Sequence, residues 1–79
     1  MRLDKYLKVS RLIKRRTVAN EACDAGRVLV NGKVAKAGTA IKEGDVIELM
    51  FGTRTIKVRV TQVAETVRKE DAALMYEVL

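Results

Sequence analysis

Residues 26–34 read Gly26-Arg27-Val28-Leu29-Val30-Asn31-Gly32-Lys33-Val34. This stretch decides the fold, because the hydrophobic period changes here from helical to extended. Gly26 is suited to end a helix in the left-handed conformation. Arg27 to Val30 then reads as a short strand. Asn31-Gly32 supplies the two positive-φ residues that a type I′ hairpin turn needs, and Lys33-Val34 begins the return strand.

Upstream of Gly26 the apolar residues follow helical spacing. Leu3, Tyr6, Leu7 and Ser10 fall at i, i+3, i+4 and i+7, which predicts a short helix with these residues on one face. Arg2, Lys5 and Lys8 run along a neighbouring exposed stripe. Thr17 is expected to cap a second helix, with Val18, Ala19, Ala22 and Cys23 on its buried face. Downstream, Lys36 to Gly44 is irregular, Val46 to Phe51 reads as a strand, and Gly52-Thr53 as a turn. Ile56, Val58 and Val60 alternate with Lys57, Arg59 and Thr61, as in a half-buried strand. Glu70 to Met75 reads as one or two helical turns, with the last residues extended. Met50, Phe51, Met75 and Tyr76 are assigned to the core.

The fold class is therefore α+β: two short N-terminal helices packed on a small, mostly antiparallel sheet with a hairpin, followed by a short C-terminal helix. The 79 residues are read as one domain, with a motif core at 1–62 and an extension at 63–79.

The charge distribution is the strongest functional signal. From Met1 to Arg16 there are seven bases (Arg2, Lys5, Lys8, Arg11, Lys14, Arg15, Arg16) and one acid, Asp4. From Thr17 to Leu79 nine bases meet nine acids, so the net charge of +6 resides in the head. A basic head on a neutral body points to a polyanion, and nucleic acid is the commonest one. Lys14-Arg15-Arg16 lies between the two helices, where three bases can point together. The opposing reading is a solvated face. Asp4 is expected to orient Arg2, or Lys8 one helical turn on, rather than to perform acid chemistry.

Composition excludes several other chemistries. The hydrophobic fraction of 48% is too high for a disordered tail. With no His there is no ordinary general base near neutral pH, and the single Cys23 has no base partner to activate it. Cys23 reads as a small core residue in a reducing, cytoplasmic compartment. Gly26 to Lys33 fails as a phosphate-binding loop: five residues separate the glycines, and Val34 stands where Ser or Thr is needed. No catalysis, metal, cofactor, small-molecule substrate or membrane partner is expected.

Four motifs in order carry a family resemblance. Arg2-Leu3-Asp4-Lys5-Tyr6-Leu7, Arg11-Leu12-Ile13-Lys14-Arg15-Arg16-Thr17, Gly26 to Gly32, and Lys42-Glu43-Gly44-Asp45-Val46-Ile47 resemble the RNA-binding module named after ribosomal small-subunit protein four, the alpha-L motif. The run from Lys8 to Thr17 and the tail from Lys69 to Leu79 are similar to the stand-alone RqcP group of bacteria, a relative of the small heat-shock ribosome-recycling protein. The resemblance implies a cytoplasmic, ribosome-associated RNA-binding factor of ribosome quality control. Its implied partners are large-subunit rRNA, the P-site peptidyl-tRNA of a stalled subunit, and an RqcH-like factor that adds alanine to the nascent chain. It also implies RNA contact by Arg2, Lys5, Arg11, Lys14, Arg15, Arg16 and Thr17, with Arg27, Asn31 and Lys33 at the hairpin; Lys8 joins them from the basic stripe. Two other readings stay open: an accessory module of an RNA-modifying enzyme, which an opening directly at Met1 argues against, and a DNA-binding or scaffold protein.

Overall fold

The computed structural model describes all residues, Met1–Leu79. Helix α1 (Leu3–Val9) and helix α2 (Arg16–Asp24) lead into five strands: β1 (Val28–Val30), β2 (Lys33–Val34), β3 (Val46–Phe51), β4 (Arg54–Val60) and β5 (Tyr76–Val78). A 3₁₀ helix, Lys69–Met75, precedes β5. The strands form one antiparallel sheet in the order β2-β1-β3-β4-β5. The helices cover one face of it.

The helix–strand boundary forms as its residue types dictate. Gly26 has φ +74°. Its amide donates to the Cys23 carbonyl, and the Arg27 amide donates to the Ala22 carbonyl, both at 3.0 Å. This pair of bonds is a Schellman motif, which satisfies carbonyls that the helix end leaves unpaired. Asn31 and Gly32 follow with φ +52° and +84°, the type I′ turn. The Asn31 side chain then locks the turn to the start of β3. Its Oδ1 accepts from the Val46 amide at 3.0 Å, and its Nδ2 donates to Asp45 at 3.2 Å.

One apolar cluster joins the layers. Leu3, Tyr6 and Leu7 of α1, Ala19 and Cys23 of α2, and Val28, Ile47, Leu49, Val58 and Val60 of the strands are all buried in it, together with Met75. Register explains the strand contribution: Val30 faces Ile47 and Val28 faces Leu49 across β1–β3, while Ile47 faces Val58 across β3–β4. These residues share one side of the sheet, and Glu48, Lys57 and Arg59 share the other. The Tyr6 hydroxyl donates to the Met75 carbonyl at 2.6 Å, a buried link between α1 and the C-terminal segment. Burial raises the Tyr6 pKa, with a smaller contribution from Tyr76, so the hydroxyl stays protonated and able to donate.

Several expectations need correction. Thr17 is not the cap of α2. The cap position is Arg15, extended at φ −124°, and Thr17 lies exposed inside the first turn. The buried face of α2 is centred on Ala19 and Cys23, and Val18, about 100° round the helix from Ala19, is 46% exposed. Phe51 and Ile56 are exposed at the hairpin end of β3–β4, where β1 no longer pairs with β3 beyond Leu49 and β5 pairs with β4 only over Val58–Val60. The C-terminal helical turns are 3₁₀ in type, and the residues after them add a fifth strand along β4.

Candidate nucleic-acid interface

The head begins with an extended arm. Arg2 bridges to Ala40, and the amides of Leu3 and Asp4 donate to the carbonyls of Thr39 and Ala37. These bonds fix the entry to α1 and set Asp4 in its first turn, with only 3% of its side chain exposed. A buried carboxylate needs several donors, and Asp4 has four residues supplying them. Arg2 donates from Nε and Nη2 at 3.2 and 3.4 Å, and Arg16 from the same two atoms at 3.2 and 3.5 Å. Asn20 Nδ2 donates at 3.4 Å and the Lys5 amide at 2.8 Å. Burial alone would raise the Asp4 pKa, but these hydrogen bonds outweigh it and hold the carboxyl below its ordinary value.

Asp4 thus orients Arg2, as expected from sequence, but not Lys8. Its second partner is Arg16, twelve residues away at the start of α2. Lys5 is also engaged: its ammonium pairs with Glu65, whose pKa is lowered chiefly by this hydrogen bond. Glu65 has no signal in the sequence that places it beside the head.

The four remaining head bases, Lys8, Arg11, Lys14 and Arg15, are exposed and have no ion-pair partner. Lys8, Arg11 and Lys14 line an open groove of about 630 Å³, whose other wall is Glu65, Thr66 and Val67. The bend that brings them together depends on Arg11. It adopts φ +63°, just past the end of α1, a position that usually falls to glycine. Its amide donates to Lys8 and the Ile13 amide to Leu7. The chain therefore turns sharply enough to bury Ile13 while Lys14, Arg15 and Arg16 face water. A left-handed arginine is strained by roughly 1–2 kcal/mol, and the buried Ile13 offsets it.

Thr17 stands at a shallow cleft with Asp4, Arg16, Asn20 and Glu21. Arg27, Asn31 and Lys33 are exposed but form a separate locus. The nine residues of α2 span about 14 Å, and Arg27 follows the cap at its C-terminal end. No ion pair or side-chain hydrogen bond connects these three to the head, and the Asn31 side chain is committed to β3. Arg27 and Lys33 are free bases; Asn31 is first a turn residue. Burial pushes the Cys23 thiol up, with smaller contributions from Asp4 and Asp24, which keeps the sulfur protonated in the core.

Comparison with known proteins gives one family. The S4 domain pattern matches residues 1–47. The RQC P-site tRNA stabilizing factor of Halalkalibacterium halodurans is 63% identical over 78 residues, covering 99% of this chain and 89% of that protein. The factor of the same name from Streptococcus pneumoniae is 54% identical over 79 residues, covering 100% and 90%. The solved trimeric heat shock protein 15 of Vibrio cholerae superposes with a TM-score of 0.93 at 28% identity, over 100% of this chain and 81% of that one.

Proposed function

The chain belongs to the S4-domain family, and to the group within it whose members are named RQC P-site tRNA stabilizing factors; from this premise we propose that it binds RNA through its basic head. We take the RNA to be large-subunit rRNA and the P-site peptidyl-tRNA of a stalled large ribosomal subunit. The consequence is support for alanine tailing of the nascent chain by an RqcH-like partner, in the cytoplasm. The protein acts here as a non-catalytic binding factor.

The observation that carries this reading is the set of unpaired bases around the α1–α2 bend. Lys8, Arg11, Lys14 and Arg15 form no ion pair, and the one acid beside them, Glu65, is engaged by Lys5, so their field is free for phosphates. Arg2 and Arg16 add guanidinium donors beside them. A rigid surface of helix ends and a bend suits structured RNA, which is recognised largely by shape and backbone. Each neutralised phosphate releases counterions, so contact with about four to six phosphates gives a log K against log salt slope of roughly −3 to −5. Arg27 and Lys33, at the far end of α2, are assigned a peripheral contact with the same RNA.

The test is sedimentation with purified large subunits that carry or lack a P-site peptidyl-tRNA. Retention that depends on the tRNA supports the reading. Equal retention on both would favour an rRNA-only role. Loss of alanine tailing in a system reconstituted without the protein tests the last step.

A further inference from the structure

We propose that Asp4 is a positioning residue for RNA binding: its buried carboxylate holds the guanidinium groups of Arg2 and Arg16 side by side, so that their free edges meet the RNA backbone together. This rests on the reading that the head binds RNA, and goes beyond it by assigning a role to the one acid among the bases.

The geometry carries the inference. Asp4 has 3% of its side chain exposed, whereas Arg2 and Arg16 have 54% and 47%. The two arginines reach the same carboxylate through the same atoms, Nε and Nη2. A guanidinium has five N–H donors. Each arginine therefore keeps both donors of Nη1 and one of Nη2, the edge that can fork onto two phosphate oxygens. Asn20 and the Lys5 amide complete the shell around the carboxylate, so its orientation is fixed from two helices at once. A free arginine loses side-chain entropy when it orders on RNA; here that ordering has occurred in folding. A cleft of about 450 Å³, lined by Arg2, Lys5, Arg16 and Gly38 among others, opens beside the pair.

Charge counting and positioning predict opposite signs. An acid within a basic surface repels a polyanion, so its neutralisation should tighten binding. If Asp4 positions the two arginines, neutralising it should weaken binding although the net charge rises. Glu65 is the internal control. It lies against the same surface, pairs with Lys5, and is 74% exposed.

The experiment is equilibrium binding to purified large-subunit rRNA, well below the melting temperature of each variant. Asp4→Asn is expected to weaken binding by at least about threefold, in line with the cost of ordering a freed arginine side chain on the RNA. Glu65→Gln, which frees Lys5 and holds no arginine in place, is expected to tighten it. In an Arg2→Ala/Arg16→Ala background, Asp4→Asn should have no further effect, a non-additivity that a general loss of stability does not produce. Arg16→Lys keeps the charge and leaves Asp4 in place, but cannot fork. It should weaken binding, which tests the idea even if Asp4→Asn does not fold. Tightening or no change with Asp4→Asn, an equal loss in the arginine-free background, or parental affinity for Arg16→Lys each overturns the positioning role. Any of these results alongside strong binding by the parent leaves the RNA-binding reading intact, whereas failure of the parent to bind rRNA overturns both.

Discussion

Two bases on the outer face of the sheet, Lys57 and Arg59, and the bases of the head are partnered in opposite ways. On the outer face of the sheet, Lys57 stands opposite Glu48 and Arg59 opposite Glu77, with charged atoms 4.0 and 3.5 Å apart. Each base has its own acid across the strand pair, and such exposed pairs contribute about 0.2–1 kcal/mol each. In the head, two arginines share one carboxylate, Lys5 takes an acid from the far end of the chain, and four bases have none. The same residue types serve two purposes. Pairing cancels the field locally, so what a polyanion meets is the unpaired excess and not the number of lysines and arginines.

The largest effect should come from removing that excess. Replacing Lys8, Arg11, Lys14 and Arg15 together with Ala is expected to lower affinity for large-subunit rRNA by roughly two orders of magnitude, and to flatten the salt slope by about 3. Titrations at several salt concentrations measure both. Parental affinity and slope in this variant would break the comparison, since the unpaired bases would then carry nothing.

The hairpin sharpens it next. Gly32 has φ +84° with open space where a Cβ would stand, so Gly32→Val is strained by backbone conformation and not by a clash. The expected cost is about 1–2 kcal/mol, or a melting temperature lower by several degrees for a domain of this size. RNA affinity should fall less than tenfold, because only Arg27 and Lys33 flank this turn. A loss of binding as large as that of the four-base variant, with melting unchanged, would move the interface onto the hairpin.

A smaller effect is expected at the polar link between the two regions. Tyr6→Phe removes the donor to Met75, at a cost of about 1 kcal/mol. The Met75 carbonyl still accepts from the amides of Thr61 and Gln62, which limits the damage. Chemical denaturation should report the loss, and rRNA binding should stay at the parental level. The raised Tyr6 pKa makes this contribution fully present below the ordinary tyrosine value near 10 and lost as pH rises above it. Parental stability of Tyr6→Phe at neutral pH would show that the link does not tie head to body.

The architecture was legible in the sequence wherever a local rule decides the outcome. Leu3, Tyr6 and Leu7 obey helical spacing and are buried; Asn31-Gly32 turns as its φ preference demands; β3 begins and ends where its apolar run does. What failed depends on where layers end. Phe51 and Ile56 look like core residues by period but lie at the end of the β3–β4 hairpin that neither β1 nor β5 pairs. Val18 faces water because α2 packs on the face centred on Ala19 and Cys23, which is narrower than the expected one. In the head, the identity of the bases and their clustering was readable, but of their partners only Asp4 for Arg2 was. Asp4 with Arg16, and Lys5 with Glu65, are joined by tertiary packing across 12 and 60 residues, and neither spacing leaves a mark in a periodicity.

The smallest effect should come from the sheet, and it is the sharpest test of the contrast. Lys57→Ala with Arg59→Ala removes as many positive charges as a pair from the head. If total charge governed binding, affinity would drop as it does when two of the unpaired bases are removed. If only unpaired charge counts, each deletion also frees an acid that the base had neutralised, Glu48 or Glu77. Those acids lie on the sheet's outer face, opposite the side that α1 and α2 cover, so at physiological salt most of their field is screened within about 8 Å. The expected change in rRNA affinity is therefore less than about twofold, with a melting temperature within a few degrees of the parent because each lost pair is exposed. Binding isotherms at low and physiological salt give the reading directly. A small loss at low salt that vanishes at physiological salt is the signature of a remote, screened charge. A loss that persists at both would mean that RNA lies against the sheet itself, and the division between the paired Lys57 and Arg59 and the unpaired bases of the head would not describe how this protein binds.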